Sequence, residues 1–206
     1  MPRSQEPDTE ELLARAKTGD ERAGIEAIAR QRERLKSMLA LRMDKRLKAR
    51  LDPSDVIQES MIVASQRLGE FFRQQNVSFY VWLRSLTFER LIDMQRAHLY
   101  AKRRSVSREE RSVLSLPDES VAELASRLVD VAGDPRAGMV RDELRTRVRA
   151  ALDRLSPDER EVLVLRHLED LSVAETAGAL GIKESAVKMR ALRALQKLRE
   201  VLEEGG

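Results

Sequence analysis

The chain of 206 residues is 35% charged with a net charge of only +3, and no apolar run nears the roughly 18 residues a membrane-spanning helix needs, so no membrane association is expected. It has no cysteine, which excludes disulfides and thiol nucleophiles, and its two separated histidines, His98 and His167, cannot build a zinc site between them. No phosphate-cradling glycine loop, metal-ligand cluster or nucleophile–base pair is recognisable, so neither catalysis nor a cofactor or metal is expected.

The N-terminal acids Glu6, Asp8, Glu10 and Glu11 differ from the basic-then-apolar order of a secretion signal, and a cytoplasmic location is expected. Residues 9–18 and 21–50 read as helices capped by Asp8 and Asp20 and broken apart at Gly19. Ile25, Ile28, Ala29, Leu35, Leu39, Met43 and Leu47 recur at helical spacing and form one apolar stripe. Asp52-Pro53 is a fresh start signal, and the helix it opens should end near Leu68, with Gly69 just beyond. Its buried stripe is Val56, Ile57, Met61, Ala64 and Leu68. Asp55, Gln58, Glu59 and Ile62 fall on another face, with the composition of a docking surface for a basic partner or of plain solvated decoration.

Every aromatic residue of the protein lies between Phe71 and Tyr100, and a basic cluster of Arg96, His98, Lys102, Arg103 and Arg104 closes the stretch. Aromatic rings beside a positive groove suit single-stranded nucleic acid, since bases stack on rings and Lys and Arg neutralise phosphates. Helical spacing, however, favours the core for Trp82 and Leu86. Gln74, Gln75, Asn76 and Ser78 form a polar break, and Ser78 is placed to cap a helix running to about Tyr100.

Residues 105–140 lose long periodicity and carry Asp118, Glu119, Glu123, Asp130 and Asp134, which reads as an acidic linker with at most a short helix near 119–130. Beyond it the signals sharpen. Ser156-Pro157-Asp158-Glu159 and Ser172-Val173-Ala174-Glu175 are capping boxes, opening helices to about His167 and Leu180. Gly181 then supplies a turn into a basic helix from about Glu184 to Glu203, with Val187, Ala191, Ala194, Leu195 and Leu198 assigned to its inner face and Lys188, Arg190, Arg193, Lys197 and Arg199 around it. That pattern is a helix-turn-helix whose second helix can enter a major groove. The expected fold is all-α: an N-terminal domain over 1–104, the linker over 105–140 and the helix-turn-helix domain over 141–206.

Asp55-x-x-Gln58-Glu59, Phe79-Tyr80-x-Trp82-Leu83, Arg90-Leu91-Ile92-Asp93, Leu155-Ser156-Pro157-x-x-Arg160 and the terminal helix-turn-helix, in this order, resemble a bacterial RNA polymerase sigma factor of the extracytoplasmic-function class. The resemblance implies that Asp55, Gln58, Glu59 and Ile62 meet the clamp helices of the polymerase beta-prime subunit. It further implies that the loop from Arg73 through Gln74, Gln75 and Asn76 to Ser78, with Trp82, Arg96, Arg103 and Arg104, serves the minus-ten element and captures a flipped base. Lys188, Met189, Arg190, Leu192, Arg193 and Lys197 would serve the minus-thirty-five element. Met189 and Leu192 cannot hydrogen-bond base edges, so their contact would be apolar, for instance with a thymine methyl group. Glu89, an acid where some members of the class carry an uncharged polar residue, is not assigned a DNA contact. An anti-sigma factor is a further partner in the class, and a one-component helix-turn-helix regulator is the competing function.

Overall fold

The computed structural model describes residues 8–43, 45–74, 77–100, 116–131 and 138–203, and every regular element among them is helical. The chain divides into two compact units, Met1–Ala40 with Lys45–Glu110, and Leu41–Asp44 with Arg111–Gly206.

In the first unit the Asp8 carboxylate accepts the Thr9 N–H to open α1 (Thr9–Lys17), and Gly19, at φ 103°, turns the chain. Asp20 then caps α2 (Glu21–Arg30) by accepting the Ala23 N–H at 3.1 Å while Arg15 donates to its other oxygen at 2.7 Å. The single helix expected over 21–50 is instead three: α2, α3 (Arg32–Arg42) and α4 (Lys45–Lys48). At the first break the Gln31 N–H bonds to the Ile28 carbonyl, an i−3 contact that tightens one residue before the Gln31 carbonyl accepts from Leu35. Apolar spacing runs through both breaks, with Leu35, Met38, Leu39 and Met43 all buried, which is why spacing alone hides them.

Asp52 opens α5 (Pro53–Arg73) by accepting the Ser54 N–H at 2.8 Å. The helix passes the stop expected at Gly69. A mid-helix glycine costs only about 1 kcal/mol, whereas continuing the helix brings the Phe71 ring to 5.2 Å from both Phe79 and Trp82. In α6 (Phe79–Tyr100) the residues Phe79, Tyr80, Val81, Trp82, Leu83, Leu86 and Leu91 are buried, as are Val56, Ile57 and Ala64 of α5.

In the second unit, residues 118–131 are helical (α7), followed by α8 (Gly138–Asp153). This corrects the linker expectation over the part of 105–140 that is described: Val121, Leu124, Ala125 and Val129 are spaced along one face of α7 and pack with Val148, Ala151 and Leu152 of α8 in the unit's core. Its acids masked that stripe. The same core takes Leu163 and Val164 of α9 (Pro157–His167) and Ala194 and Leu198 of α11 (Glu184–Glu203). A second cluster of Val162, Ala177 and Val187 joins α9 and α11 to α10 (Val173–Leu180). Arg42, 2% exposed, is neutralised by Glu161 at 2.6 Å and Glu169 at 2.7 Å. Burial alone would lower its pKa; the two carboxylates more than offset this and raise it.

Candidate nucleic-acid interface

Along α5 the positions 55, 58, 59 and 62 share one face. Asp55, Gln58 and Ile62 are exposed there, Ile62 at 57%. Glu59 is half-exposed and accepts through one oxygen from the Arg90 guanidinium of α6, so the side chain is already oriented before any partner arrives. Both sequence-assigned acids therefore sit on the solvent side, opposite Val56, Ile57, Ser60 and Ala64, which are buried.

The loop between α5 and α6 is described in part. Gln74 and Ser78 are exposed; the Ser78 carbonyl accepts the Trp82 N–H at 3.0 Å and its hydroxyl accepts the Val81 N–H at 3.4 Å, beginning α6. Arg73 is exposed and donates to the Gly69 carbonyl of its own helix at 3.1 Å. Arg96 is exposed on α6. Gln75, Asn76, Arg103 and Arg104 lie outside the described residues. Trp82 requires a correction: it is 5% exposed, with its ring 5.2 Å from Phe71 and 5.9 Å from Phe79, so it is packed among rings and not open to a base. Helical phase decides this, since Trp82 lies one turn past Phe79 and on the same inner face as Leu86.

The helix-turn-helix is set by its caps. In α9 the Ser156 hydroxyl accepts the Glu159 N–H at 3.3 Å while the Ser156 N–H reaches the Glu159 carboxylate at 3.0 Å; Ser172 and Glu175 repeat the exchange at α10. Gly181 is left-handed at φ 63°, where a glycine meets no steric penalty. On α11, Val187, Ala194 and Leu198 are buried. At about 100° per residue the opposite face carries Ser185, Met189, Leu192 and Gln196, all exposed, flanked by exposed Lys188 and Arg193. Ser185 and Gln196 lie outside the residues that the sequence pattern assigns to DNA, although the same helical phase places them on this face. Leu195, expected inside, is 42% exposed.

Two cations assigned to DNA are otherwise employed. Arg190 pairs with Asp158 at 3.1 Å, and Lys197 donates to both oxygens of Glu159 at 2.7 and 2.9 Å. Both acids belong to the first turn of α9. The Lys197 ammonium, then the Ser156 N–H, lower the Glu159 pKa to about 2, so the clamp stays ionised at any ordinary pH. Arg190 and Lys197 thus fix the roll of α11, while Lys188 and Arg193 make no ion pair or side-chain hydrogen bond among the described residues.

Capped α10, the glycine turn and α11 with its exposed basic face define a DNA-binding helix-turn-helix protein. The family model for sigma-70, region 4 matches residues 145–198, which span this motif. RNA polymerase sigma factor NccH of Alcaligenes xylosoxydans xylosoxydans is 31% identical over 153 residues, covering 74% of each chain. The ECF RNA polymerase sigma-E factor of Salmonella typhimurium is 26% identical over 91% of this chain and 90% of its own. The chain belongs to the RNA polymerase sigma factors of the extracytoplasmic-function class. Its match to the RNA polymerase sigma-E factor of Streptomyces antibioticus is local, 51% identical over 53 residues, 26% of this chain and 29% of that protein. A solved structure of CnrH in complex with the cytosolic domain of CnrY aligns with a TM-score of 0.49 at 25% identity, over 95% of this chain and 97% of that one.

Proposed function

We propose that this protein is a dissociable specificity subunit that binds core RNA polymerase and directs it to promoters, where it recognises two elements and opens the strands between them. The observation that carries the reading is the exposed face of α11, on which Lys188 and Arg193 have no partner among the described residues while neighbouring cations are tied to α9. A face so arranged suits duplex DNA, whose phosphates and base edges exposed cations and the side chains between them can meet. Arg193 is assigned to bases, with the fork geometry that matches guanine, and Lys188 to either base or phosphate.

In the first unit, Asp55, Gln58, Glu59 and Ile62 form the docking face for the beta-prime clamp helices, an acidic surface with one aliphatic residue for a basic partner. The loop over residues 73–78, which joins α5 to α6, serves the melted minus-ten element. Extruding a base costs a few kcal/mol, and amide groups that donate and accept at once recover it by enclosing the base.

The test is reconstitution. Purified chain added to core polymerase should form a stable complex and produce defined run-off transcripts from genomic fragments that core alone does not yield. Tight operator binding by the chain alone, with no transcript gained on adding core, would support a one-component regulator instead.

A further inference from the structure

Four residues in sequence order occupy the outward face of α11: Ser185, Met189, Leu192 and Gln196, polar at both ends and apolar in the middle. Met189 is 47% exposed and Leu192 is 49% exposed. About half of each residue's surface is open to solvent, and neither side chain can exchange a hydrogen bond with a base edge. Resting on the reading of α11 as a promoter-binding helix, we infer that this sigma factor discriminates its upstream element through the C5-methyl groups of thymine, held by Met189 and Leu192 in the major groove. Thymine alone among the bases offers a methyl group on that edge, and apolar side chains are its complement.

The neighbouring charges favour DNA over a protein as the occupant. Lys188 and Arg193 flank the apolar pair on its two sides, and neither forms an ion pair among the described residues, which fits a polyanion bordering the groove. Arg190 and Lys197 are withdrawn from this face by Asp158 and Glu159, so hydrogen-bonding readout is thinned where apolar readout is dense. Three residues of helix advance about 4.5 Å, a little more than one base step, which suits methyl groups on neighbouring base pairs when the helix lies along the groove.

The probe is a duplex promoter carrying the upstream element that the holoenzyme itself selects from a library randomised there, with each thymine in turn replaced by deoxyuridine. Deoxyuridine keeps every hydrogen-bonding group and loses only the methyl. Binding of wild-type holoenzyme should weaken roughly fourfold for each of one or two such replacements, the worth of burying one methyl group. Met189→Ala and Leu192→Ala should each abolish the penalty at one position, and Met189→Leu should retain it; unchanged thermal melting of the variants shows that they fold. A selected element without thymine, or one whose base-pair swaps matter while deoxyuridine does not, overturns the inference and leaves the promoter reading of α11 intact. Weaker association with core polymerase by Met189→Ala, with DNA preference untouched, also overturns it and assigns the apolar pair to a protein. A holoenzyme with no upstream preference at all overturns the α11 reading and this inference together.

Discussion

The aromatic cluster of the first unit and the apolar residues of α11 exchange the places that residue type alone would give them. Phe71, Phe79 and Trp82 have the chemistry of a base-stacking platform, yet they pack ring against ring at 5.2–5.9 Å, and Phe79 and Trp82 are buried. Met189, Leu192 and Leu195 have the chemistry of a core, yet they are among the most exposed large apolar side chains of the protein. In both helices the phase relative to the neighbouring element decides. In α6 the phase is fixed by rings contributed from α5; in α11 it is fixed by Ala194 and Leu198 beneath and by Asp158 and Glu159 at one side. A binding face is thus found by asking which residues the core leaves over, rather than which look suited to the ligand.

The largest effect should come from the rings. Trp82→Ala should destabilise the first unit by about 3–5 kcal/mol in denaturant unfolding, as for a buried aromatic removed from a packed core. Full stability with a selective loss of strand opening would return Trp82 to the DNA surface.

Next is the opposite face of α5. Reversing Asp55 and Glu59 together to lysine should weaken association with core polymerase by several kcal/mol, because like charges then meet across the docking surface. The unit should still fold, since Asp55 is exposed and the Glu59–Arg90 pair lies at the surface, where such pairs contribute about 0–1 kcal/mol. Unchanged affinity in titration calorimetry would remove the docking role.

The clamp on α11 should give a smaller, pH-dependent effect. Ser156→Ala removes the hydroxyl partner of Glu159 and should cost about 1 kcal/mol. Glu159 has a folded pKa depressed from the ordinary glutamate range to about 2, so the stability it contributes is fully present above its unfolded value and is lost as pH falls toward 2. Thermal melting between pH 5 and pH 2 should show this loss in the wild type and a reduced loss in Glu159→Gln.

The smallest effect sharpens the contrast most. Met189→Ala should leave stability within about 0.5 kcal/mol, as expected of a surface substitution. A loss of 2 kcal/mol or more would place Met189 in the core and cancel the exchange of roles.

Much of this is legible in the amino-acid sequence. The capping boxes at Ser156 and Ser172, the turn at Gly181 and the N-caps Asp8, Asp20 and Asp52 all form as the residues dictate, because each is a local exchange of hydrogen bonds needing no distant partner. What failed depended on tertiary contacts. The run of α5 past Gly69 follows from Phe71 meeting α6; the short helix expected near 119–130 does form, but its packing into a core with α8, α9 and α11, where a linker is expected, depends on distant partners. The ion pairs of Arg190 and Lys197 also escape sequence reading, because their acids lie about three dozen residues away, beyond any helical spacing rule.

The most direct measurement is selection by holoenzyme from a promoter library randomised at both elements, using wild type, Arg193→Ala and an exchange of residues 73–78 for another polar loop of equal length. Arg193→Ala should relax the upstream element alone, and the loop exchange should change the downstream element alone, each leaving association with core polymerase intact. Both variants selecting the wild-type promoter set at the same relative strengths, or either variant altering both elements together, would contradict the assignment of the two elements to the two units.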